Sequence, residues 1–153
     1  MTKKLISSRR TPIDVNYQSC DSTYVELLIY PNKSADAVTK ELGILPSSSQ
    51  DKGGKVVNSR GDEREAKTTF WSLSSEGKVL SKDVRHHLMW LLSQLAEKEL
   101  ALARLQKQEG LTMSVNCVWR SSGSGGPTLW PEQMSLLAKF NLECSFDIYC
   151  YDD

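Results

Sequence analysis

Tyr24-Val25-Glu26-Leu27-Leu28-Ile29-Tyr30 alternates between the two sides of an extended chain: Val25, Leu27 and Ile29 share one side, Tyr24, Glu26, Leu28 and Tyr30 the other. Period-two patterning belongs to a strand buried on one face, so the fold is built on a sheet with a packed side and an open side. Two further stretches repeat it. Met113, Val115, Cys117 and Trp119 alternate with Thr112, Ser114, Asn116 and Val118. In the last stretch Leu142, Cys144, Phe146, Ile148 and Cys150 face inward, while Glu143, Ser145, Asp147, Tyr149 and Tyr151 face outward. Residues 69–73, Thr-Phe-Trp-Ser-Leu, read as another strand, and Lys55-Val56-Val57-Asn58 as a short edge strand within the polar, glycine-containing stretch 47–67.

Helical spacing fills the intervals. Ser34 is a good N-cap, Val38 and Leu42 fall four apart, and Gly43 is placed as a C-cap, which predicts a helix over 35–42. From Ser81 or Lys82 to about Gln108, Val84, Leu88, Leu91, Leu92 and Leu95 trace one stripe that Leu102 and Leu105 continue, so one long helix is expected there, ended by Gly110. Pro131 suits the first turn of a helix over 131–140, with Met134, Leu137 and Phe140 inward.

Strands alternating with helices give an α+β fold, a mostly antiparallel sheet of four to five strands with helices on one face. If 55–58 pairs with 69–73 as a hairpin, the first half becomes ferredoxin-like. Residues 1–22 are polar and aperiodic and read as an arm, surface-laid or partly disordered, ahead of a single domain over 23–153.

Composition limits the function. The chain has 153 residues, 19 Lys and Arg against 19 Asp and Glu, and no net charge, which argues against gripping nucleic acid or anionic lipid. No apolar run reaches a membrane span, and the basic start Met1 to Arg10 lacks the apolar segment of an export signal, so a cytoplasmic protein is expected. Cys20, Cys117, Cys144 and Cys150 form no Cys-x-x-Cys pair and read as reduced thiols. His86 and His87, adjacent on a helix, point about 100° apart and cannot share a metal; Asp83, four before His87, reads as its partner in a solvated surface pair. The loop 121–126, Ser-Ser-Gly-Ser-Gly-Gly, reads as a tight strand-to-helix reversal, with an anion held on its free amides as the alternative.

Three stretches in order, Glu41-Leu42-Gly43-Ile44-Leu45-Pro46-Ser47, Phe70-Trp71-Ser72-Leu73-Ser74, and Gly125-Gly126-Pro127-Thr128-Leu129 running into Asp147-Ile148-Tyr149, resemble a bacterial family, domain of unknown function 4279, over roughly 24–151. The chain departs from that pattern at Ser48-Ser49-Gln50-Asp51-Lys52-Gly53, where an aromatic or basic residue usually precedes Lys-Gly, and at Trp130, where a small capping residue is usual. The resemblance implies a bacterial cytoplasmic domain and transfers no catalytic residue.

No nucleophile–base constellation, phosphate loop, cofactor motif or metal set is visible, so no catalytic residue, metal or cofactor is expected. The less ordinary feature is the outward sheet face, where Tyr24, Glu26, Asn116, Asp147 and Tyr149 combine aromatic area with carboxylates. They are the candidate binding residues of a non-catalytic interaction module. Its partner would be a protein or a second copy of the chain, in the manner of bacterial immunity proteins, and neither nucleic acid nor membrane. The alternative is a small enzyme using Glu26 or Asp147 as acid or base beside Tyr149.

Overall fold

A computed structural model describes residues 10–150. Among them the chain runs β1 (Cys20–Tyr30), α1 (Ala35–Leu42), β2 (Ser48–Gln50), β3 (Lys55–Val57), β4 (Glu63–Glu65), β5 (Phe70–Ser74), α2 (Val84–Gln94), α3 (Glu99–Gln106), β6 (Thr112–Ser121), α4 (Pro131–Lys139) and β7 (Glu143–Cys150). Five strands form one sheet in the order β2-β5-β1-β6-β7, and β3 with β4 forms a separate ribbon. Neighbours in the large sheet are antiparallel except β6 and β7, which run parallel with α4 as the connection. The α+β class expected from the alternation is present. Val25, Leu27 and Ile29 are fully buried and lie beside Trp71 and Leu73 on β5 and Val115, Cys117 and Trp119 on β6, making the packed face.

The ferredoxin-like arrangement is absent. Lys55–Val57 pairs with Glu63–Glu65 instead of with β5, and the central strand β1 has antiparallel neighbours on both sides. The turn between β3 and β4 explains the pairing: the Asn58 side chain accepts from the amides of Arg60 and Asp62, each at 2.9 Å, and Gly61 adopts φ 82°. A loop that closes locally on its own side chain wins over a longer-range hairpin. The edge beside β5 is taken by Ser48–Gln50, at the start of the polar stretch 47–67.

The helix expected over 81–108 is two helices. Leu95 closes α2, its amide turning back to the carbonyl of Leu92 and the next amide, of Ala96, to that of Ser93, and α3 starts at Glu99. The stripe survives the break: Val84, Leu88, Leu91, Leu92 and Leu95 are buried, as are Ala101, Leu102 and Leu105, and the bend sets α3 against α1. On α4, Leu137 and Phe140 are buried as expected, but Met134 is 49% exposed and the buried residue near the helix start is Gln133. Gln133 accepts from the Trp130 amide at 3.1 Å and donates to the Arg85 carbonyl at 2.8 Å, which explains a polar residue in an inward position.

β7 follows its expected parity but not its expected burial. Phe146 and Ile148 lie opposite the core residues Cys117 and Trp119, yet they are 40% and 53% exposed, and Cys150 is also exposed. β7 is an edge strand of the sheet, and beyond Leu142 and the half-buried Cys144 its packed side is open to solvent. The expected outward position of Tyr151 and the reading of the basic start fall outside the described residues, the latter apart from Arg10.

The solvated Asp83–His87 pair is overturned. Asp83, Arg85 and His87 are at most 2% exposed. Asp83 is the N-cap of α2 and receives Arg85 Nη2 at 2.7 Å and Nε at 2.9 Å. Burial alone would raise the Asp83 carboxyl, but the hydrogen bonds from Arg85 and from the Asp14 amide outweigh it and hold the group below its usual range. Arg85 also donates to the carbonyls of Thr11 and Pro12. The segment 10–19 is thereby fixed to the helical side, where Tyr17 packs edge-on to Trp119 at 5.3 Å. The glycine-rich loop holds the same segment. Gly125, at φ 141°, leaves no room for a side chain, since a Cβ would stand 2.4 Å from Ser19 Oγ, and the Ser122 amide donates to the Ser19 carbonyl. His87 sits beneath: the Ser75 hydroxyl, which accepts from the Val25 amide, meets its Nδ1 at 2.7 Å, and its Nε2 faces the Ser81 carbonyl. Burial lowers its pKa, favouring the neutral ring with the proton on Nε2.

Two substitutions test this core. Leu91→Ala should cost about 2–5 kcal/mol through lost transfer energy and an unfilled cavity, seen as a lowered denaturation midpoint. Arg85→Leu, which strands a buried carboxylate, should cost about 3–5 kcal/mol at neutral pH. Because the Asp83 contribution in the native protein is itself lost as pH falls through its depressed pKa, the Arg85→Leu deficit should shrink in acid denaturation series.

Candidate functional site

The face opposite the helices is organised in rows by strand register. Glu26 lies between Ser74 on β5 and Asn116 on β6, and Asn116 is in turn beside Ser145 on β7. Tyr24 is beside Val118, which is beside Asp147; Ser22 is beside Arg120, which is beside Tyr149. The five residues expected from alternation, Tyr24, Glu26, Asn116, Asp147 and Tyr149, therefore converge on one face. The segment 10–19 is pinned on the other side, so among the described residues it does not cover them.

The polar groups are interlinked. Asn116, only 7% exposed, donates from Nδ2 to Asp147 Oδ2 at 2.9 Å, and its Oδ1 accepts from the Ser145 hydroxyl at 3.2 Å. Arg120 is the residue that sequence reasoning missed. Its guanidinium lies 5.9 Å from the ring centroid of Tyr24 and 6.0 Å from that of Tyr149, and Nη1 donates to Ser22 Oγ at 3.2 Å. A cation within reach of two rings gains quadrupole attraction from both. The signal was legible: Arg120 has the same parity as Asn116 and Val118, one step past the end assigned to that strand.

Glu26 is partly buried, and that burial pushes its carboxyl above the usual range; Glu76 and Asp147 add to the rise, opposed by Asn116 and Ser72. Tyr24 is raised too, first by burial and then by the negative charge of Glu26 and Glu76. Asp147 and Tyr149 are exposed. The surface is thus an aromatic and carboxylate patch around one stacked cation.

A family model described as "Domain of unknown function (DUF4279)" matches residues 21–151. The chain belongs to this family. No curated protein and no solved structure matches it. The span matching DUF4279 starts within β1, takes in every later strand and helix, and contains all five candidate residues and Arg120. It leaves out the segment 10–19, which the family domain holds through Asp83, Arg85 and Trp130. Trp130 stacks on Arg85 at 5.4 Å and donates from Nε1 to the Thr11 carbonyl at 3.0 Å.

A groove of about 770 Å³ lies along that junction, walled by Pro12, Ile13, Met89, Leu92, Trp130 and Leu136. Its polar groups are already paired with one another: Arg10 with Glu132, and Gln133 with the Trp130 amide and the Arg85 carbonyl. What remains is an apolar wall partly built from residues outside the DUF4279 span. Among the described residues no three His, Cys, Asp or Glu side chains are grouped to hold a metal ion. All four cysteines are free; Cys117 and Cys144 approach to 3.7 Å between sulfurs on neighbouring strands, and burial pushes Cys20 up to about 11.

The raised Glu26 carboxyl has a consequence for stability. Its favourable contribution is complete below the unfolded-state pKa and is lost as pH rises through the folded-state value, so ionised Glu26 is a cost at neutral pH. Glu26→Gln should therefore stabilise the protein at pH 7, and the advantage should disappear below about pH 4 in paired urea melts.

Proposed function

We propose that the protein is a non-catalytic, cytoplasmic interaction module whose open sheet face receives a protein partner. The carrying observation is Arg120 stacked between Tyr24 and Tyr149, with Asn116 and Asp147 hydrogen-bonded beside them. Tyrosine and arginine concentrate binding energy because they offer large, stiff, amphipathic contact area at small entropic cost. Here the stacking orders them before a partner arrives, which lowers the cost of association. The carboxylates Glu26 and Asp147 supply rim charges that favour a partner presenting basic or hydrogen-bond-donor groups. An acid–base role for either is less well supported, since general catalysis needs enclosure and Asp147 and Tyr149 stand exposed on a sheet surface. Four free thiols suit a reducing compartment.

A photo-reactive residue in place of the exposed Ser145 should form, in cells of the native host, a discrete adduct with a protein other than this chain. The same residue in place of Leu100, exposed on α3, should not. Tyr149→Ala should weaken capture by more than ~1 kcal/mol while moving the thermal midpoint little. Equal labelling at the two positions, or capture indifferent to Tyr149→Ala, would remove this reading.

A further inference from the structure

The two edges of the large sheet are guarded very differently. At one edge β2 is three polar residues, Ser48–Gln50, close behind Pro46, and short polar edges resist pairing with another chain. The other edge is β7, eight residues with neither proline nor lysine, and among the described residues no strand pairs with its outer side. Its inward-parity side chains Phe146 and Ile148 are 40% and 53% exposed, an apolar stripe running along a free backbone edge. Unpaired amides and carbonyls together with exposed apolar side chains are the two ingredients of strand addition.

We infer that β7 pairs antiparallel with β7 of a second copy of this chain, joining two sheets across a twofold axis centred on Phe146. The occupant follows from parity and charge. In an antiparallel pair, facing residues share a side of the sheet, so the axis must pass through a residue and not between two. Within Glu143–Cys150, axes at Phe146 and Asp147 give the longest overlap. The axis at Asp147 sets two Asp147 carboxylates directly opposite one another, which is destabilising. The axis at Phe146 avoids any like-charge pair. It sets Phe146 against the partner's Phe146, Cys144 against the partner's Ile148, Ser145 against the partner's Asp147 and Glu143 against the partner's Tyr149. The last two place a hydroxyl opposite a carboxylate, and the first two bury the exposed stripe. Such self-complementarity is what an isologous twofold contact requires. This pairing differs from the partner-binding reading above: it uses the backbone edge of the sheet and leaves Tyr24, Glu26, Asn116 and Arg120 open, with only Asp147 and Tyr149 common to both.

Sedimentation of the full chain over a concentration series tests the inference. The native protein should show a reversible monomer–dimer equilibrium. Phe146→Lys and Ile148→Lys should each weaken it at least tenfold without shifting the far-ultraviolet spectrum, while Leu100→Lys, a charge placed on α3, should not. In a Cys150→Ser background, Phe146→Cys should give a disulfide-linked dimer on mild oxidation, since facing residues lie about 4.5–5.5 Å apart, within disulfide reach. A monomer at every concentration up to about 1 mM, a dimer that neither lysine variant weakens, or a native dimer cross-linked through Cys144 and Cys150, as the Asp147 axis would allow, would overturn it.

Discussion

The buried ion pair between Asp83 and Arg85 organises more of this molecule than any other single contact. It caps α2, reaches the carbonyls of Thr11 and Pro12, and takes the indole of Trp130 against the guanidinium. A buried pair of this kind does not contribute much net stability over a well-packed apolar substitute. What it supplies is placement. The carboxylate is satisfied by Arg85 and by the Asp14 amide, and the guanidinium in turn holds the Thr11 and Pro12 carbonyls. The segment 10–19 is thereby committed to the helical side, and the opposite face of the sheet is left free of it.

That freedom gives the sheet two unlike surfaces and one unlike edge. Inward parity on β1, β5 and β6 makes a fully buried face, whereas the same parity on β7 leaves Phe146 and Ile148 in solvent. The reason is position, since β7 lies at the edge of the sheet with a neighbour on one side only among the described residues. Outward parity makes the patch around Arg120. Both features come from one local rule, alternation along a strand, applied at different places in the sheet.

Much of the framework was legible because it is local. The α1 boundaries, with Ser34 accepting from the Ala37 amide and Gly43 at φ 66°, follow from cap chemistry alone. The α2 stripe and the convergence of Tyr24, Glu26, Asn116, Asp147 and Tyr149 follow from period. Readings that depended on distant partners did not hold. The break after Leu95 has neither glycine nor proline to announce it, and α3 turns because α1 offers it a packing surface. Burial of Asp83 and His87 could not be read from their own polarity, because their partners, Arg85 aside, lie at Asp14, Ser75 and Ser81. Met134 and Gln133 exchanged roles for the same reason: a carbonyl on α2 made the polar side chain the better one to bury.

The central pairing of β1 with β6 joins residues far apart in sequence; the Thr23 hydroxyl, for example, donates to the Val118 carbonyl across 95 positions. During synthesis β1 therefore leaves the ribosome long before its principal neighbour exists. Its apolar side, Val25, Leu27 and Ile29, has β5 and α2 to shelter it but lacks its longest strand partner until the chain has passed residue 112. Closing so long a loop is slow, and a sheet whose central strand pairs across so wide a separation folds late. The exposed apolar side of β1 is thus a property of the unfinished chain that the finished fold conceals.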